Sequence, residues 1–178
     1  MRKPYSTDMT EAEKKIFKEA YEKRYKYTTG SPTEVDLVEV MNAILYLAKT
    51  GCPWHLLPHD FPPPTTVNYH FLKCRDGGFL EELNFFVLKK ARENAGKNPE
   101  PSLLIIDTQS VRGSRQAQEE SGIDGNKMIK GRKRQIVVES NGWIASVDVH
   151  AANRYDGDGA KKVISKILDK VKTVKNVS

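Results

Sequence analysis

Apolar residues recur every three or four positions through the first half of this chain and then change to short unbroken runs. The helical spacing predicts four amphipathic helices, at about residues 11–25, 33–49, 67–75 and 79–94. The change comes near residue 95, where Gly and Pro residues interrupt the pattern. Residues 1–95 are therefore predicted to form an all-helical region, followed by a linker over residues 96–101.

The second half predicts a small sheet with one helix. Short apolar or alternating runs predict three strands and then a helix, at residues 103–107, 132–139, 143–150 and 160–171. Asn141-Gly142 is a hairpin turn signal, so these strands should form an antiparallel meander. The predicted fold class is α+β, with a helix-turn-helix-like all-α N-terminal region followed by an incomplete ribonuclease H-like (βββα) core over residues 102–178.

Asp107 is the most unusual residue of the predicted strands, because it follows four apolar residues directly. Aspartate is disfavoured in strands, and an ionised carboxylate is costly to desolvate. One interpretation is a turn residue that binds the amides of Gln109 or Ser110. The other is a metal ligand, because a ribonuclease H-like fold places metal-binding carboxylates at the end of its first strand and on its fourth.

Composition and charge narrow the possible partners. The 178 residues carry a formal charge of +6, which fits a polyanionic partner but is modest. There is no apolar run of about 18 residues and no secretory signal, so no membrane partner is expected. Cys52 and Cys74 stand far apart without a metal-binding spacing, which is typical of reduced thiols in a cytoplasmic protein.

Basic residues gather in one short segment around the second predicted strand. The cluster comprises Lys127, Lys130, Arg132, Lys133 and Arg134. Such density predicts contacts with DNA phosphates, although a solvated strand edge gives the same pattern. A second DNA-binding surface is predicted on the third helix, if it forms a helix-turn-helix-like unit with the second. Its candidate contact residues are Asn68, Lys73 and Arg75.

Three further aspartates could in principle add ligands near Asp107. Asp156 and Asp158 precede a predicted helix, where acidic residues are favourable without any metal. Asp148 lies in the middle of the third strand, and alternation predicts that it points with Ser146 to the wetter face of the sheet. All three are therefore expected to have roles other than metal binding.

Seven short motifs, in this order, resemble bacterial insertion-sequence transposases of the DDE class, of the insertion sequence five type. They are residues 5–10 (YSTDMT), 40–46 (VMNAILY), 50–54 (TGCPW), 57–63 (LPHDFPP), 105–111 (IIDTQSV), 130–134 (KGRKR) and 150–153 (HAAN). The resemblance implies Mg²⁺ or Mn²⁺ chemistry on double-stranded DNA at the element's ends. It also implies a homo-oligomer when active, in the bacterial cytoplasm with the nucleoid. Asp107 matches the first residue of the family's acidic triad.

The second aspartate of the family lies on the strand after the last predicted helix, and its glutamate lies further on. Because the printed sequence stops where that strand should begin, we expect a truncated transposase, completed by a downstream-frame segment or inactivated by decay. The alternatives are a non-enzymatic DNA-binding regulator or inhibitor of transposition, and an inert remnant of the element. Without that strand, the outer edge of the first strand should be unpaired.

Overall fold

The computed structural model describes residues 2–25, 35–113 and 121–168, together with the backbone of residues 176–177. Contacts divide the chain into two compact units, Met1–Leu83 and Asn84–Ser178. Within the described ranges no helix is both long and apolar enough to cross a membrane.

The first unit is helical, as predicted. Its described helices are α1 (Glu11–Arg24), α2 (Leu37–Thr50), a short 3₁₀ helix (Trp54–Leu56), α3 (Pro64–Asp76) and the start of α4 (Phe79–Asn94). Thr10 and Glu13 form a capping box at the start of α1. The predicted start of the second helix, Thr33, lies outside the described residues, and α2 begins after the cap residue Asp36. The third helix starts earlier than the predicted residue 67, because Pro64 already occupies the first turn of α3.

An N-terminal arm packs against α2 in this unit. Arg2 binds both carboxylate oxygens of Asp8, at 2.8 and 2.9 Å, and Glu39 at 2.6 Å. Its guanidinium also lies 4.3 Å from the centre of the Phe61 ring. Hydrogen bonding with Arg2 lowers the pKa of Asp8. This arrangement brings together residues far apart in the sequence, so helical spacing alone did not predict it.

The second unit contains a five-stranded sheet in its described part. The strands are β1 (Leu103–Arg112), β2 (Gly122–Asp124), β3 (Ile129–Glu139), β4 (Ile144–Ala151) and β5 (Asn176–Val177). β3 pairs antiparallel with β1, β2 and β4. Two predictions are corrected here. β1 continues five residues beyond its predicted end, and residues 113–130, for which no strand was predicted, contain β2 and the start of β3.

The outer edge of β1 is partly paired. β5 runs parallel to β1, with Leu103 opposite Asn176 and Leu104 opposite Val177. The expectation that the outer edge of the first strand is unpaired is therefore wrong at Leu103 and Leu104. The helix between β4 and β5, α5 (Asp156–Leu168), brings the chain back to that edge. From Ile105 onward, none of the described strands pairs with this side of β1.

α5 covers one face of the sheet and leaves the other exposed. Leu88 of α4, Val163 and Ile167 of α5 pack with the covered-face residues Leu104 and Val137. We call the opposite surface the open face. It carries apolar as well as polar side chains, in contrast to a simple amphipathic sheet. Its exposed residues include Ile105, Asp107, Gln109, Val147 and Val149.

Gly159 allows α5 to approach the sheet closely. A Cβ atom at this position would lie 2.4 Å from Gln135 Nε2 and 2.5 Å from His150 Nε2. Both side chains are buried and have little room to move. We expect Gly159→Ala to lower the free energy of unfolding by about 1–3 kcal/mol, because overpacking displaces α5. Urea denaturation of the full chain measures this change.

Gly157→Ala is the matched control in the same helix. The new Cβ would meet the Tyr155 ring at 2.6 Å. That ring is 76% exposed and can turn into solvent. Equal losses of stability in the two variants would contradict the close approach of α5 at Gly159.

Candidate metal and nucleic-acid face

Asp107 lies in the middle of β1, on the open face. Its side chain is exposed, and its register partner on β3 is Ile136. The Thr108 amide donates to Asp107 Oδ1 at 2.8 Å. The turn interpretation is wrong, because the strand continues to Arg112 and the bonded amide is not that of Gln109 or Ser110. The carboxylate is thus presented to solvent from a regular strand.

Basic side chains follow Asp107 along the same face. Gln109 is opposite Arg134 in the register, and Val111 is opposite Arg132. Arg134 Nη2 donates to Gln109 Oε1 at 2.7 Å. Lys130 comes next on β3 and is exposed. Because alternate strand residues share a face, Lys130, Arg132 and Arg134 form one row, which we call the basic row.

Lys133 does not belong to the basic row, although the sequence placed it in the same cluster. It lies on the covered face, and only 6% of the residue is exposed. Its Nζ is 2.7 Å from Asp156 and 3.8 Å from Asp124, and it donates to the Arg154 carbonyl. In this arrangement Lys133 holds the start of α5 against the sheet and does not present its charge to a phosphate.

Asp124 fixes the turn between β2 and β3. Its carboxylate accepts hydrogen bonds from the Ser110 hydroxyl and from the amides of Asn126 and Lys127. The Ser110 hydroxyl is the largest cause that lowers the pKa of Asp124, with the two amides and Lys133 adding to it against the effect of burial. The side chain of Lys127 projects from this turn and is exposed.

The α3 candidates lie in the first unit. Asn68 is half-buried, whereas Lys73 and Arg75 are exposed. Arg75 pairs with Asp76 at 2.7 Å. Tyr69, which sequence reasoning did not select, is 62% exposed on the same helix. The structure thus gives positions for these residues, and their DNA contacts stay a prediction.

Asp148 is not on the wetter face. It is 6% exposed and lies beneath α5, where Lys162 Nζ is 3.1 Å and Lys166 Nζ 3.3 Å from its carboxylate. The prediction assumed that the apolar residues of β4 face the core. It is wrong because Val147 and Val149 lie on the open face and Asp148 therefore points to the covered face. Asp156 and Asp158 lie in the first turn of α5, as expected.

The donor set for a metal ion is therefore small. No group of three or more His, Cys, Asp or Glu side chains is positioned to hold a metal ion in the part of the chain that the structure describes. Asp107 fits as one oxygen ligand of Mg²⁺, which is commonly held by one or two carboxylates together with waters and substrate phosphates.

Two family models match the chain in succession. A model for transposases of the IS4/5 type matches residues 9–84, and a model of the transposase DDE domain matches residues 98–175. No curated protein and no solved structure matches. The motif resemblance predicted this family, and the two matches confirm it. Over these two ranges the chain is similar to the insertion-sequence transposases of the DDE class.

Proposed function

We propose that this chain acts in the transposition of an insertion element, with its open face binding duplex DNA beside a metal ion held by Asp107. The observation that carries the proposal is the position of Asp107 at the end of the basic row, on a face that no described helix covers. The match to a transposase DDE domain supports the same conclusion. A DNA partner would place the protein with the nucleoid in the bacterial cytoplasm.

The strand arrangement supports a ribonuclease H-like core. β3 lies between β1 and β4, and β5 runs parallel to β1 on its other side. In a ribonuclease H-like core the first strand and the strand that follows the helix are neighbours, so carboxylates on them can share an ion. β1 and β5 have these positions here. A Mg²⁺ or Mn²⁺ ion would polarise the phosphodiester and stabilise the leaving oxygen. The contribution of Asp107 is a charged ligand at a fixed place on the strand.

The basic row and Lys127 supply the charge that attracts the DNA backbone. Lysine and arginine contacts to phosphates position a duplex without reading its sequence. Asn68, Lys73 and Arg75 on α3 are proposed as a second contact surface, where Asn68 or Arg75 could reach base edges. Homo-oligomerisation and completion by a downstream segment belong to the same proposal.

A second candidate function is non-enzymatic DNA binding that regulates or inhibits transposition. The observation that favours it is the absence of a metal-binding cluster among the described residues. Such a protein would bind the element's ends through the same basic surfaces and would not cleave them. The two functions share the DNA-binding prediction and differ in metal-dependent chemistry.

Replacing Lys130, Arg132 and Arg134 together with alanine tests DNA binding. The slope of log affinity against log salt is negative, and each lost phosphate contact should make it less steep by about one unit. The slope of the triple variant should therefore be about three units less steep. Fluorescence anisotropy with labelled duplex DNA at several salt concentrations gives the slope. Lys161→Ala is the control, because Lys161 is exposed and lies on α5. A triple variant with unchanged affinity and slope would refute the proposal.

A further inference from the structure

We propose that Gln109 is a positioning residue that holds the Arg134 guanidinium as a phosphate-binding group beside Asp107. The inference deepens the proposed function and rests on it. Gln109 was not among the candidate DNA-binding residues, and the family matches assign no role to it. We call the Gln109–Arg134 pair the clamp.

The register places the clamp next to Asp107 on the open face. Gln109 is two residues beyond Asp107 on β1, so the two side chains point the same way. Arg134 is the diagonal neighbour of Asp107 on β3, because the direct partner of Asp107 is Ile136. Diagonal neighbours in an antiparallel pair are about 7–8 Å apart, which long side chains can span. A phosphate group bound by Arg134 can therefore lie next to a metal ion held by Asp107.

The chemistry of the pair suits an anion. Arg134 uses one N–H group for Gln109 Oε1, at 2.7 Å, and a guanidinium carries five N–H donors in a planar fork. Because the glutamine oxygen is uncharged, it orients the fork without neutralising it. A glutamate at position 109 would also orient Arg134, but it would cancel the charge. Glutamine is thus the residue type that leaves a fixed and charged guanidinium on the surface.

A purely structural role predicts a different result for the same substitution. A cross-strand hydrogen-bonded pair of this kind contributes little to stability, and an oppositely charged pair in the same place is also favourable. Gln109→Glu should therefore keep or raise stability if the pair only joins β1 to β3. If Arg134 binds phosphate, Gln109→Glu should instead weaken DNA binding while the fold stays intact.

The experiment measures duplex binding by the full chain over a range of salt concentrations, without divalent metal. We expect Arg134→Ala and Gln109→Glu each to make the negative slope of log affinity against log salt less steep by about one unit. Arg134→Lys should keep the slope, since the charge remains. Asn94→Asp adds the same negative charge at the exposed end of α4 and should change neither slope nor affinity by a comparable amount. Urea denaturation confirms that each variant folds.

The outcomes separate the clamp from the proposed function. Normal DNA binding with a wild-type slope in both Gln109→Glu and Arg134→Ala would overturn the clamp and leave the proposed function standing. Absence of DNA binding by the unmodified chain would overturn both. Because the measurement contains no metal, a failure of metal binding at Asp107 would not affect it.

Discussion

Replacing Glu139 with leucine is expected to lower the free energy of unfolding by about 3–5 kcal/mol, because it leaves a buried guanidinium without its partner. Glu139 is fully buried at the end of β3, and its carboxylate pairs with Arg92 of α4. The side chain of Arg92 is only 7% exposed, and its Nε donates to the Asn98 carbonyl at 2.7 Å. Glu139 also accepts the Asn141 amide at 2.6 Å in the β3–β4 turn.

Urea denaturation of three variants tests this pair. Glu93→Gln is the control, since Glu93 forms an exposed pair with Lys90 on the same helix and should cost less than about 1 kcal/mol. Combining Glu139→Leu with Arg92→Leu should recover part of the loss, because no charge then stays buried. A Glu139→Leu variant as stable as Glu93→Gln would show that the buried pair contributes little.

Asp107→Asn is expected to abolish divalent-metal binding at the open face. Among the described residues of that face, Asp107 supplies the single carboxylate, while Asp148 and Asp156 are engaged by lysines on the other side. Because two-metal phosphoryl transfer needs more ligands, the 178-residue chain alone should neither nick nor join duplex DNA in Mg²⁺ or Mn²⁺.

The register of β5 indicates where a further ligand would act. Val177 lies opposite Leu104 in a parallel pair, so the third residue after Val177 would lie beside Asp107 and point to the open face. A chain joined to a segment that places an aspartate there, with the remaining carboxylates of the family, should nick DNA. Asp107→Asn should return that activity to background, whereas the exposed Asp158→Asn should not.

Periodicity predicted the order of the elements because it reports which residues can face a core. The start of α1 also depends only on local sequence, because Thr10 and Glu13 form a capping box within one helical turn. Periodicity predicted too short a β1, because an aspartate such as Asp107 is unfavourable in a strand when only the local sequence is considered. The strand nevertheless continues because β3 pairs with it along its length and Ser110 finds a buried acceptor in Asp124. Contacts between distant residues decided that boundary.

The candidate site shows the same limit. A run of basic residues is one cluster in sequence, but a strand sends alternate side chains to opposite faces. Arg132 and Arg134 therefore stay on the open face, while Lys133 reaches Asp156 under α5. Which face is covered depends on where α5 packs. Because Val147 and Val149 lie on the open face, the alternation of apolar and polar residues in β4 predicted the wrong covered face.

Mn²⁺-induced broadening of backbone amide NMR signals, in the presence of duplex DNA, tests the central claim most directly. The paramagnetic ion broadens the signals of residues near its binding site. We predict broadening centred on Asp107, Gln109 and Arg134 in the unmodified chain, and its loss in Asp107→Asn with the fold unchanged. Broadening centred on other carboxylates, or broadening at the open face that persists in Asp107→Asn, would contradict a metal site at Asp107.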